Sequence, residues 1–82
     1  MNLTILTPVK QLFQGEVTAV KVPGTSGQFE VLKGHANIVS ALGEGNVQIT
    51  DAKGQKKNFK INQGFIEVLR DEIAVLVTGV EE

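Results

Sequence analysis

Apolar and polar residues alternate with a two-residue period along most of this chain. Leu3 and Ile5 alternate with Asn2 and Thr4, Val47 and Ile49 with Gln48 and Thr50, and Phe59 and Ile61 with Lys60 and Asn62. Each run has the period of a strand that buries one face. Ile73-Ala74-Val75-Leu76-Val77 is apolar at both parities, which predicts a strand covered on both faces or a central strand of a sandwich. In "EVTAVKV" the parity changes: Val17 and Ala19 share one face, Val20 and Val22 the other. A strand that buries both groups needs a bulge or bend near Thr18–Ala19, as where one strand passes between sheets.

Turn signals arrive at short intervals: Pro8, Gly15, Pro23-Gly24, Gly27, Gly34, Gly43 to Gly45, Gln63-Gly64 and Arg70-Asp71. "DAKG" (Asp51 to Gly54) has the composition of a turn joining two alternating strands. No stretch sustains a capped 3.6-residue pattern. The pattern therefore predicts an all-β fold, a small two-sheet antiparallel sandwich of about eight to ten short strands with no significant helix.

A chain of 82 residues is sized for one domain and buries only roughly 60–65 % of its unfolded surface. It has no cysteine, so disulfides and thiolate metal sites cannot supplement that core. An assembly subunit, stabilised by a partner, is favoured over a solitary domain. The formal net charge of −1 argues against nucleic acid as a partner. Lys53, Lys56, Lys57 and Lys60 flank the expected hairpin and read as a solvated edge. Met1 leads straight into a strand pattern without a signal-peptide profile, and no apolar run approaches a membrane span. The default expectation is cytoplasmic.

Catalytic chemistry finds little support. "PGTSG" leads into the strand-like "QFEVL" and not into a helix, so its glycines read as turn-makers and not as a phosphate loop. His35 is the one histidine, with no nucleophile signature and no His-x-His or HExxH spacing around it. The carboxylates are scattered, from Glu16 to Glu81 and Glu82, and nothing marks a pair. Phe13, Phe29, Phe59 and Phe65 read as core residues, with Phe29 the one to watch because polar residues flank it beside a turn. No catalytic, metal or cofactor residue is expected.

"LTILTPVKQLFQGEV", "VPGTSGQFEVLKGHA", "GNVQI" and "GFIEVLRDEIAVLV" occur in that order over essentially the whole chain. Together they resemble the N-terminal β-sandwich domain of the epsilon subunits of F-type ATP synthases. Glu30, Lys33 and Asn37 depart from that family's pattern, the last two standing where proline is common. The resemblance implies a single domain over residues 1–82, without the C-terminal helical hairpin that acts as a brake in longer members. It implies a non-catalytic subunit of the central stalk, or rotor, which binds the gamma subunit and the c-ring and couples proton transport to ATP synthesis. Such a subunit meets the cytoplasmic face of the bacterial plasma membrane only through its complex. By the same resemblance Thr7, His35 and Ser40 face the gamma subunit. Thr25, Ser26 and Gln28 face the c-ring, with Glu30 added to them. The alternative is a stand-alone β-sandwich that binds a small ligand or another protein.

Overall fold

The alternating segments form eight strands: β1 (Asn2–Leu6), β2 (Gln11–Gly24), β3 (Gly27–Leu32), β4 (Ile38–Leu42), β5 (Gly45–Asp51), β6 (Lys56–Ile61), β7 (Gln63–Leu69) and β8 (Glu72–Thr78). The computed structural model of the chain describes residues 1–80, and these contain no helix.

The long β2 joins two sheets. Its first half pairs with β1, Asn2 lying opposite Glu16 and Ile5 opposite Phe13. Its second half pairs with β5 on one side and β3 on the other. The register slips between Val17 and Ala19, where the parity change in "EVTAVKV" requires it. The first sheet thus runs from the first half of β2 through β1, β8 and β7 to β4, the second runs from β3 through β2 and β5 to β6, and the pairing of Leu42 on β4 with Gly24 on β2 links all eight strands into one hydrogen-bonded set. The two sheets face each other across a core in which Leu3, Ile5, Val20, Ile49, Phe59, Ile61, Ile66 and Val75 are all buried.

The fold departs from the all-antiparallel expectation at one pair. β1 and β8 run parallel, Leu3 opposite Ile73 and Ile5 opposite Val75. They are the first and last strands, so no hairpin turn ties their relative direction.

The "DAKG" turn closes the β5–β6 hairpin. Asp51 Oδ1 accepts hydrogen bonds from the backbone N–H of Lys53 and of Gln55, both at 2.9 Å, and Gly54 takes a positive φ of 84°. Lys56 and Lys60 then lie on the solvent side of β6, the edge strand of the second sheet. Lys57 reaches over Phe59, its Nζ lying 5.4 Å from the ring centroid.

Gly64 sits on β7 where β8 leaves no room for a side chain. A Cβ there would stand 2.2 Å from the Leu76 carbonyl oxygen and 3.1 Å from Val77 Cα. Backbone cannot swing aside as a side chain can, so Gly64→Ala should part the two strands. The expected cost is about 3 kcal/mol, the upper end of ordinary overpacking. A urea unfolding curve with an unchanged midpoint would show that the strands adjust freely.

Candidate docking surface

The outward parity of the first sheet carries a patch of exposed apolar side chains that none of the other described residues covers. Ala41, Phe65, Leu76 and Leu6 form one row across β4, β7, β8 and β1. Val39, Glu67, Ala74 and Thr4 form the next. Val39 is 71 % exposed, Phe65 56 %, Leu69 55 % and Leu76 50 %. β8 is therefore the central strand that its two-parity pattern allows, but among the described residues only its inner parity is buried. Phe65, not Phe29, is the exposed phenylalanine. Phe29 packs against the core from β3, whereas Gly64 and Ile66 take the inward positions on β7 and turn Phe65 outward.

The second sheet presents the opposite chemistry. Lys21, Gln48, Asn58 and Lys60 point outward from β2, β5 and β6. Asn58 Oδ1 accepts hydrogen bonds from Asn46 Nδ2 at 2.8 Å and Gln48 Nε2 at 3.2 Å. A free sandwich is polar on both outer faces. The first sheet instead sets exposed Val39, Phe65, Leu69 and Leu76 among its polar positions, and a contiguous apolar patch marks a site of interaction.

At one end of the apolar face lies a cleft of about 630 Å³, lined by Leu6, Pro8, Ala41, Phe65 and Leu76 together with Thr7, Thr25, Gln63 and Thr78. The Thr7 hydroxyl is committed to the β1–β2 turn: it accepts from Val9 N–H at 3.2 Å and Lys10 N–H at 3.0 Å. Thr25 N–H donates to Ala41 O at 3.2 Å and Gly43 N–H to Pro23 O at 2.8 Å, tying the β2–β3 turn to β4. These bonds set the cleft's polar wall.

The residues that the resemblance assigns to the gamma subunit do not converge. Thr7 lines the cleft. Ser40 takes the inward parity of β4, opposite the buried Ile66, and is half-buried. His35 lies in the β3–β4 connection, at the far end of β4 from the cleft; its N–H donates to Leu32 O at 3.0 Å and its Nδ1 stands 2.7 Å from Ala36 O. Of the residues assigned to the c-ring, Thr25 and Ser26 form the exposed β2–β3 turn, while Gln28 and Glu30 are exposed on β3 opposite Pro23 and Lys21. Thr7 and Thr25, assigned to different partners, thus share one cleft.

Asn37 ties two turns together, its Oδ1 accepting from Arg70 N–H at 2.7 Å. Arg70 sits in the β7–β8 turn at a positive φ of 59°, a conformation that costs a non-glycine residue energy unless its surroundings hold it. Among the described residues no three His, Cys, Asp or Glu side chains gather as a metal site. Glu81 and Glu82 lie outside the described residues.

The geometry defines a class: a two-sheet β-sandwich whose distinguishing surface is an uncovered apolar sheet face suited to another macromolecule. Residues 1–82 match the family model described as "ATP synthase, Delta/Epsilon chain, beta-sandwich domain", and the chain belongs to that family. It is 42 % identical over 79 residues to an ATP synthase epsilon chain of Campylobacter jejuni, covering 96 % of this chain and 61 % of that one. It is also 42 % identical over 77 residues to an ATP synthase epsilon chain of Chlorobium limicola, covering 94 % of this chain and 86 % of that one. The chain thus spans only 61 % of the length of the Campylobacter relatives. Among solved structures, a chain in the Euglena gracilis mitochondrial ATP synthase OSCP/F1/c-ring assembly superposes with a TM-score of 0.89 at 23 % identity, over 96 % of this chain and 51 % of that one. One in the Tetrahymena thermophila central stalk/c-ring assembly gives 0.83 at 14 %, over 99 % and 65 % respectively. These two likenesses establish the fold.

Proposed function

We propose that this chain is a non-catalytic rotor subunit of an F-type ATP synthase, acting as one domain over residues 1–82. In this reading it docks the gamma subunit through the apolar outer face of the first sheet and meets the c-ring through the β2–β3 turn. The observation that carries it is the uncovered face of Val39, Phe65 and Leu76, in a family whose members are synthase subunits. The work is mechanical: a stiff body that contacts two neighbours enlarges the area over which torque passes between them. The subunit sits at the cytoplasmic face of a bacterial plasma membrane through its complex alone, with no nucleic-acid partner.

The test is capture on immobilised gamma subunit of the same synthase, with mass spectrometry of the bound chain. Retention at micromolar concentration is the expected result; a chain that passes through unbound contradicts the reading. The cleft supports a second reading, since about 630 Å³ lies within the size range of small-molecule sites. A ligand that binds the cleft in a chain with no affinity for gamma would favour that alternative.

Gln28 is exposed on β3 beside the β2–β3 turn. Gln28→Trp should leave the isolated domain folded, since exposed substitutions usually stay within about 0.5 kcal/mol. In reconstituted vesicles it should lower the ATP made per unit of proton gradient. Unchanged coupling and unchanged ring affinity would count against this contact.

A further inference from the structure

We propose that Glu67 is the specificity-determining charge of the apolar face, and that the gamma surface covering it carries a lysine or arginine aimed at this carboxylate. The inference rests on the docking reading above and adds what the partner must look like.

Glu67 has four nearest neighbours on its face. Val39 lies opposite on β4 and Ala74 opposite on β8. Phe65 and Leu69 stand two residues away along β7. All four are apolar, and among the described residues no hydrogen bond or ion pair ties Glu67 down. In the free chain its carboxylate is exposed to water, so it is hydrated and costs nothing. Docking changes that balance. A surface that covers the surrounding apolar side chains strips the water from Glu67, and a carboxylate desolvated without a partner is heavily penalised. A surface that returns a cation at this point offsets that penalty most directly.

The same charge selects against other occupants. A second copy docked face to face about a two-fold axis near Glu67 would set carboxylate against carboxylate. An anionic membrane surface would meet like charge. An apolar protein surface carrying one cation satisfies both the face and its charge.

The test compares affinities for the purified gamma subunit among the wild-type chain, Glu67→Gln, Glu67→Lys and Val39→Asp, each checked for its fold by circular dichroism. Glu67→Gln keeps the size and removes the charge. It should weaken binding at least about thirty-fold, the low end for truncating one member of a buried interfacial charge pair. Glu67→Lys should weaken it further, and exchanging one gamma lysine or arginine for glutamate should restore it. If both Glu67 variants bind like wild type while Val39→Asp does not, the face docks without reading charge, and the inference fails while the docking reading stands. If none of the three substitutions affects binding, gamma docks elsewhere and the inference is overturned. A wild-type chain that does not bind gamma overturns both. Dimers in sedimentation that vanish in Val39→Asp would give the face to a second copy and overturn it too.

Discussion

Replacing Phe59 with alanine is expected to remove a quarter or more of the domain's stability. The ring is 1 % exposed and is the largest fully buried side chain among the described residues. It lies opposite Val47 in the β5–β6 pair, facing the first sheet. Truncating a buried phenylalanine to alanine costs about 3–5 kcal/mol, part of it transfer free energy and part the cavity left behind. A chain of 82 residues has only about 4–12 kcal/mol of stability to lose, at roughly 0.05–0.15 kcal/mol per residue. The Lys57 ammonium over the ring adds a further interaction of about 0.5–1 kcal/mol at an exposed site. Urea denaturation followed by circular dichroism measures the loss. Phe59→Leu keeps most of the volume and should cost much less. A Phe59→Ala midpoint equal to wild type would mean that the core collapses around the gap. Saturating gamma subunit should recover part of the loss, because a ligand present at 100 times its Kd adds about 2.7 kcal/mol.

That small reserve bears on why one face is left apolar. A short chain cannot bury enough surface to be very stable alone. On the docking reading, leaving Val39, Phe65 and Leu76 outward reserves part of the hydrophobic stabilisation for the moment of assembly. The polar second sheet, with Asn58 receiving hydrogen bonds from both Asn46 and Gln48, keeps its own outer face suited to water.

The strands and the bend in β2 can be read from the sequence because both follow from local rules. A two-residue period sets which side chains share a face, and the parity change between Val17 and Val20 demands the slip found at Val17 and Ala19. The Asp51–Gly54 turn is equally local. Two features are not local and could not be read in this way. The parallel pairing of β1 with β8 joins the ends of the chain, where no turn chemistry sets the direction. The exposed apolar patch was hidden for a different reason: in "GFIEVL" and "IAVLV" both parities carry apolar residues, so their spacing alone does not say which one is inside. Only pairing across the sheet places Phe65 beside Leu76 and Ala41 on the outer side. Two signals were present all the same. β8 is apolar at both parities, and none of the other described residues covers its second face. Glu67 also shares a parity with Phe65 and Leu69, which marks that side as the one exposed to solvent in the free chain.

If this face is where gamma binds, the double variant Phe65→Ser, Leu76→Ser should lose affinity on the order of several hundred-fold. The two residues are direct cross-strand partners on the outer face and both line the cleft. Each is about half exposed in the free chain, at 56 % and 50 %, so a partner has substantial apolar surface left to bury. Interface anchors that fill a pocket cost about 2 kcal/mol or more when truncated, and each 1.4 kcal/mol is a factor of ten in Kd. Adjacent residues do not add fully, which holds the expected loss near that figure. The effect on folding should be small by comparison, because neither side chain is in the core. Serine is small and polar, and it should also reduce any tendency of the free chain to aggregate through this patch. Titration calorimetry against gamma gives the affinity, and the negative heat-capacity change of binding should shrink with it, since that quantity follows apolar burial. The matching control places serine at Gln48 and Lys60 on the polar sheet, where affinity should hold within about three-fold, the range of ordinary surface substitutions. A double variant that binds gamma as wild type does, with the control weakened instead, would place the interface on the second sheet.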